Sequence, residues 1–276
     1  MIIITTAENG VSMIDFKQKE NYDIYDLVKI MEHLRSEDGC PWDREQSHES
    51  IRSNVIEEAY EVADAIDSGS KDMLVEELGD LLLQVVFHAR MDEEAGGFNF
   101  DDVCDGICKK LVYRHPHVFG DINADTSDEV LKNWDALKKK EKKQESFTDT
   151  MNSVPKAFPA LMRSQKVQKR AARAGFDFDN KSDVYDKVAE EMVELSDADI
   201  NGDAKKVFEE YGDLLFSVVN LARFLNIDAE EALAASTDKF ISRFEKVENL
   251  AIERGIDMPN TPINELDKLW DEVKGE

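Results

Sequence analysis

Eight carboxylates at repeated spacings are the residues of this sequence best suited to chemistry. Glu58 and Glu61 are followed, after fifteen intervening residues, by Glu77 and Asp80, and Glu191, Glu194, Glu210 and Asp213 repeat that arrangement. Residues three apart on a helix share a face. Two helices joined by a short turn pack antiparallel, and the acidic pairs lie at similar distances from that turn, so each set of four converges. Two unit charges about 5 Å apart repel by roughly 3 kcal/mol at an effective dielectric of about 20. Such a cluster is unfavourable unless it is protonated or neutralised by a cation. An all-oxygen ligand set favours Mg²⁺, with Mn²⁺ and Ca²⁺ as alternatives, over zinc or copper. Mg²⁺ characteristically completes its octahedron with water and substrate phosphates, which points toward phosphate chemistry.

The competing reading of any single Glu-x-x-Glu is a solvated acidic face. It weakens here because much of the surrounding hairpin differs between the two copies while all four motif acids stay acidic. A ferritin-like di-iron site would need Glu-x-x-His on two helices. Only Glu45 to His48 fits that spacing, and the second copy lacks it.

Positive groups supply the other half of a phosphate site. Lys187 stands four residues before Glu191 and Lys206 four before Glu210, one helical turn from the acids, whereas the first copy has Asn54 and Met73 there. Lys239 and Arg243 are again one turn apart, suited to a chain of phosphates that Arg grips bidentately and Lys meets as a point charge. Taken singly, each also reads as a surface salt bridge. Trp134 and Trp270 occupy equivalent places near the end of each copy and offer a face for a nucleobase or a side chain for a core. The five histidines have no counterparts in the second copy and are assigned no catalytic role.

The elements that must position these groups are duplicated. Residues 57–90 align without a gap onto 190–223 with sixteen of 34 positions identical, where unrelated sequences share roughly two. Lys110 and Arg114 match Lys239 and Arg243, and the WDALK beginning at Trp134 matches the WDEVK beginning at Trp270. Helical periodicity dominates. Val55, Ala59, Val62 and Ile66 form one apolar stripe, and Leu74, Leu78, Leu81, Leu82, Val85 and Ala89 form another, with no alternating strand pattern. Gly69 and Gly202 mark the turns between the paired helices. A basic run followed by Pro155 and Pro159 sets the boundary between copies near residue 150. A helical pattern over Leu161 to Arg173, ended by the aromatic-rich GFDFD at 175, begins the second copy. The predicted architecture is all-α: an extension over 1–20, a helical-bundle module over 21–150, and a second over 151–276 that carries the principal site.

Composition narrows the partners. A net charge of −26 disfavours polymeric nucleic acid and anionic membranes, while 42% apolar and 34% charged residues suit a globular chain. The opening MIIITT has too short an apolar run for a signal peptide or a membrane span, so a cytoplasmic location is expected. Three cysteines, Cys40, Cys104 and Cys108, are read as reduced thiols, although Cys104 and Cys108 with His115 and His117 make a soft-metal site conceivable.

The doubled acidic motif, with GCPWD at 39–43, RHPHVFGD at 114–121 and VPKAFPAL at 154–161, closely resembles the MazG family over about residues 22–276. The resemblance implies an all-α nucleoside triphosphate pyrophosphohydrolase. Such an enzyme cleaves between the α and β phosphates to give monophosphate and pyrophosphate, requires Mg²⁺, acts as a homodimer and accepts many bases. It implies a link to clearing aberrant nucleotides and to starvation signalling through guanosine tetraphosphate. Carried onto this chain, it places metal binding on Glu191, Glu194, Glu210 and Asp213. Nucleotide contacts fall on Lys187, Glu190, Lys206, Asp213, Lys239, Arg243 and Trp270. Catalysis falls on Glu191 or Glu194 as general base. Glu58, Glu61, Glu77 and Asp80 form a second metal set in a module expected to hydrolyse weakly or not at all. The alternatives from other classes are a Mg²⁺–nucleotide sensor that signals without turnover and a purely structural helical scaffold.

Overall fold

The computed structural model describes residues 16–121, 126, 129, 130, 134, 137, 141 and 146–275. Most of the expected N-terminal extension, residues 1–15, and most of the basic run at 138–145 lie outside them. The chain divides into two compact units, Met1–Leu137 and Lys138–Glu276. Among the described residues every regular element is helical, as the periodicity predicted.

The first unit contains α1 (Ile24–Leu34), α2 (Pro41–Glu45), α3 (Arg52–Ser68), α4 (Lys71–Glu94), α5 (Phe100–Arg114) and α6 (Pro116–Phe119). The second contains α7 (Phe147–Asn152), α8 (Ala160–Arg173), α9 (Lys181–Ile200), α10 (Ala204–Phe224), α11 (Ala229–Glu253) and α12 (Ile263–Lys274). Helices α3 and α4 pack along one another in the first unit, as do α9 and α10 in the second.

The two hairpins turn by the same device. Gly69 and Gly202 both have φ +69°, a left-handed conformation that costs a residue with a Cβ about 1–2 kcal/mol. A Cβ at either glycine would meet nothing within 4 Å, so the demand is conformational and not steric. The next helix is then capped at once. Ser70 Oγ accepts from Met73 N at 3.3 Å in the first unit, and Asp203 Oδ1 accepts from the amides of Lys205 and Lys206 at 3.1 Å each in the second. Such caps contribute about 1 kcal/mol.

In the first unit Met31, Ile51, Val86, Phe87 and Met91 form the core, with Leu27, Val28, Leu34 and Leu83 packed on it. In the second, Val247, Ala251, Leu269 and Val273 join the end of α11 to α12, and Leu266 and Trp270 cover them. Helix α8 lies against α10 and α11. Gln165 pins it there, giving a hydrogen bond from Nε2 to Ile227 O at 2.7 Å and accepting one at Oε1 from Ala229 N at 3.3 Å.

The apolar stripe of α4 splits in space. Ala89 is buried and Leu74 and Leu81 are half-buried, whereas Leu78, Leu82 and Val85 are exposed. On α10 the aligned residues Tyr211, Leu215 and Val218 are exposed too.

Candidate active site

The turn glycines bring the acidic pairs of each hairpin opposite one another. In the second unit one carboxylate oxygen from each of Glu191, Glu194 and Glu210 lies within 4.8 Å of the others. Opposite ligands of an octahedral Mg²⁺ stand about 4.2 Å apart, so the trio is close enough together to hold such an ion. Glu191 and Glu210 are only 5% and 8% exposed, while Glu194 and Asp213 face solvent. Burial holds the Glu210 carboxyl above its usual range, and the charges of Glu194 and Asp213 push the same way against the opposing pull of Lys206. A divalent cation held there would offset that repulsion.

The two lysines sit where the spacing placed them. Lys187 Nζ lies 2.7 Å from Glu191 and 3.1 Å from Glu190, and Lys206 Nζ lies 3.7 Å from Glu210. The hydrogen bond to Glu191, followed by that to Glu190, raises the Lys187 ammonium above its ordinary value, so it stays charged throughout the physiological range. Acids and cations thus alternate along one face of the hairpin.

Lys239, Arg243 and Trp270 are placed differently. They belong to α11 and α12, and neither Lys239 nor Arg243 makes an ion pair among the described residues. Trp270 packs on the Phe240 ring at 5.2 Å between centroids and closes the small core shared by these two helices.

The first unit repeats the acids without the cations. Glu58, Glu77 and Asp80 bring oxygens within the same 4.8 Å. Burial raises the carboxyl groups of Glu58 and Glu77, and the next contribution comes from Glu61 in both cases. Among the described residues none of these four acids is ion-paired; Glu58 accepts from Gln84 Nε2 at 3.3 Å. Arg114 and Trp134, the counterparts of Arg243 and Trp270, stack with the guanidinium 5.3 Å from the ring centroid. Cys104 and Cys108 are free thiols. Among the described residues the two carboxylate sets are the groups that draw three ligand atoms together, and no soft-metal set does so.

Beside the second acidic cluster lies a pocket of about 170 Å³ lined by Phe178, Lys187, Glu191, Asp213, Phe216 and Asn220. A larger one, of about 310 Å³, shares Phe178, Phe216 and Asn220 with it and reaches Gln168, Phe176 and Arg223. The sequence offered a signal for this pair in GFDFD, where two aromatic residues follow a glycine, but there it reads only as the end of a helix. Gly175, at φ +87°, lets Phe176 N bond back to Ala171 O at 3.0 Å, and the chain turns across the end of α8.

Comparison with known proteins agrees with this geometry. The family model of the MazG nucleotide pyrophosphohydrolase domain matches residues 46–119 and again 180–248, one match on each hairpin. The chain belongs to the MazG family. A relative from Thermotoga maritima, named nucleoside triphosphate pyrophosphohydrolase/pyrophosphatase MazG, is 45% identical over 250 residues, 91% of this chain and 95% of its own. One from Escherichia coli K12, named nucleoside triphosphate pyrophosphohydrolase, is 46% identical over 253 residues, 90% and 95% of the two chains. One of the same name from Mycolicibacterium smegmatis is 44% identical over 154 residues, 55% of this chain and 47% of its own. In MazG terms the two matched segments are two tandem helical modules, and each carries one complete set of four acids.

Proposed function

We propose that this chain is a Mg²⁺-dependent nucleoside triphosphate pyrophosphohydrolase that releases monophosphate and pyrophosphate, with its principal site in the second module. The observation that carries the reading is the alternation of acids and lysines on α9 and α10, namely the buried Glu191 and Glu210 and the exposed Glu194 and Asp213, with Lys187 one turn from Glu191 and Lys206 one turn from Glu210. The names and coverage of the relatives support the same reaction class.

In this reading Glu191, Glu194, Glu210 and Asp213 hold the ion, with Mn²⁺ as a substitute. A bound divalent cation supplies charge neutralisation at the phosphates and a more acidic water. Lys187 and Lys206 hold the triphosphate oxygens, and Glu190 positions Lys187. Glu191 is buried and paired with Lys187, whereas Glu194 is exposed. Glu194 is therefore the better placed of the two to take the proton of the attacking water as general base. Phe178 and Phe216 place apolar surface beside Lys187, Glu191 and Asp213.

Lys239, Arg243 and Trp270 complete the proposed nucleotide contacts, and a homodimer is the natural way to bring them in from a second copy. The exposed trios Leu78, Leu82, Val85 and Tyr211, Leu215, Val218 support an assembly that covers these stripes. No helix among the described residues is long and apolar enough to cross a membrane. With the acidic net charge this supports a cytoplasmic enzyme of the nucleotide pool with broad base acceptance, not one acting on nucleic-acid polymers.

The test is incubation of the chain with a panel of nucleoside triphosphates and Mg²⁺, resolving monophosphate, diphosphate, pyrophosphate and orthophosphate. Monophosphate with pyrophosphate, lost on adding EDTA, is the expected result; diphosphate with orthophosphate, or binding without product, contradicts it.

A further inference from the structure

Beside the acids of the first unit, α4 holds a buried amide that is only half satisfied. Gln84 is 6% exposed and stands one turn beyond Asp80 and two beyond Glu77, on the face of α4 that carries both acids. Its Nε2 donates to Glu58 Oε1 on α3 at 3.3 Å. An ionised carboxylate can only accept, so this bond fixes the amide's orientation and leaves Oε1 as the other atom. Among the described residues Oε1 is buried and has no hydrogen-bond partner. A buried acceptor without a donor is costly, and native structures keep few of them.

The second unit fills the same place differently. Ser217 aligns with Gln84 and is equally buried, yet its hydroxyl is satisfied within α10, where it donates to Leu214 O at 2.9 Å. The cations show the opposite contrast. Lys187 and Lys206 pair with acids of the second unit, whereas Asn54 and Met73 hold those positions in the first, and its acids are without an ion pair among the described residues. The first unit thus brings together the converging oxygens of Glu58, Glu77 and Asp80 and one spare acceptor. That combination calls for positive charge accompanied by hydrogens to donate. A hydrated divalent cation supplies both, because Mg²⁺ and ions like it keep several of their waters when carboxylates bind them. Each such water needs acceptors for its hydrogens.

We propose that Gln84 is a further residue of the first unit's cation site, its Nε2 orienting Glu58 and its Oε1 accepting a hydrogen bond from a water that the divalent cation carries. The proposal rests on the reading of the acids as metal ligands and is independent of which unit hydrolyses. Gln84 is a positioning residue in this account, since it meets the ion only through Glu58 and a water. Partners of this kind fix the ligands they touch and are worth about 10–100-fold in metal affinity. The second unit has no such partner at the aligned position, because Ser217 is turned to its own helix.

The experiment is calorimetric titration of the full chain with Mn²⁺ alone, in the absence of nucleotide. Glu210→Gln disables the acid set of the second unit and isolates binding at the first; Glu77→Gln does the reverse. Gln84→Leu is added to each, because leucine fills the space and carries no polar atom. In the Glu210→Gln chain it should weaken Mn²⁺ binding by about tenfold or more, and in the Glu77→Gln chain it should leave binding unchanged. Melts followed by circular dichroism in a chelator establish that each variant folds. Gln84→Met, of similar length and equally without a hydrogen-bonding amide, takes the place of Gln84→Leu if that variant does not. Unchanged Mn²⁺ affinity in the folded Glu210→Gln pair, with or without a loss of stability in chelator, assigns Gln84 to packing and overturns the proposal. A Glu210→Gln chain that binds no Mn²⁺ overturns it too. If the wild type hydrolyses no triphosphate yet first-unit affinity depends on Gln84, the cation site stands and the reaction fails. If it releases pyrophosphate and Gln84→Leu moves no affinity, the reaction stands and the role of Gln84 fails.

Discussion

The first and second units share their hairpin down to the φ of the turn glycine, yet they surround the same four acids with different neighbours. Around Glu191 and Glu210 stand Lys187 and Lys206; the first unit has Asn54 and Met73 at those positions, and its acids pair with no cation among the described residues. Behind the acids, Asn220 borders a pocket, whereas the aligned Phe87 is part of a core. One hairpin can therefore carry the same four acids with or without lysines beside them.

That contrast can be broken by trading residues between the copies. Lys187→Asn with Lys206→Met gives the second unit the first unit's neighbours and should lower kcat/KM by about 10²–10³-fold, roughly 3–4 kcal/mol of transition-state stabilisation. Steady-state kinetics decide it, and wild-type rates would mean that the lysines only neutralise the acids. Metal binding should be common to both units. Mg²⁺ at about 100 times its dissociation constant is expected to add about 2.7 kcal/mol to the stability of a unit that binds it. In thermal melts Glu210→Gln and Glu77→Gln should each remove part of that gain, whereas a gain insensitive to Glu77→Gln would confine the metal to the second unit.

The shared turn makes the opposite prediction. Gly69→Ala and Gly202→Ala should each cost about 1–2 kcal/mol, because the penalty is that of a left-handed backbone with open space around it. Chemical denaturation would show a clear inequality if one turn carried further strain.

The smallest effect concerns His88, which stacks on His48 with the rings 5.0 Å apart. Burial, and then the charge of His48, hold His88 below its usual 6.5. As pH falls below 6.5 the unfolded chain takes up this proton before the folded one does, so stability declines until the folded value is reached. His88→Leu, matching Leu221 of the second copy, should flatten that limb as pH falls below 6.5, an effect read from chemical denaturation across that range. An unchanged slope would assign the dependence to other groups.

The hairpins, and the convergence of three acids in each set of four, were legible in the sequence because both follow from local rules, whereas Glu61 and Asp213 stand outside the two trios. Helical spacing fixes which carboxylates share a face, a glycine marks the turn, and the duplication checks each assignment against its copy. The one-turn relation of Lys187 to Glu191 and of Lys206 to Glu210 is local in the same way. The larger pocket beside the second hairpin was not legible. It forms where the end of α8 meets α10, about fifty residues away, and its telling feature is a hydrogen bond from Gln168 to the backbone oxygen of Phe216. A backbone partner leaves no mark on residue identity. Trp270 shows the complementary limit. Its match to Trp134 signals a shared role, but the sequence could not tell that within one chain its ring would pack on Phe240. Likewise the periodic stripe of α4 predicted burial for Leu78, Leu82 and Val85, which a single hairpin has no neighbour to cover.

The most direct measurement compares Glu191→Gln with Glu58→Gln in the full chain, following pyrophosphate and nucleoside monophosphate from a triphosphate in Mg²⁺ and checking each variant's fold by circular dichroism. With both folded, Glu191→Gln should lose turnover and Glu58→Gln should keep most of it. Wild-type activity in Glu191→Gln, or its loss in Glu58→Gln alone, would contradict the assignment of hydrolysis to the second unit.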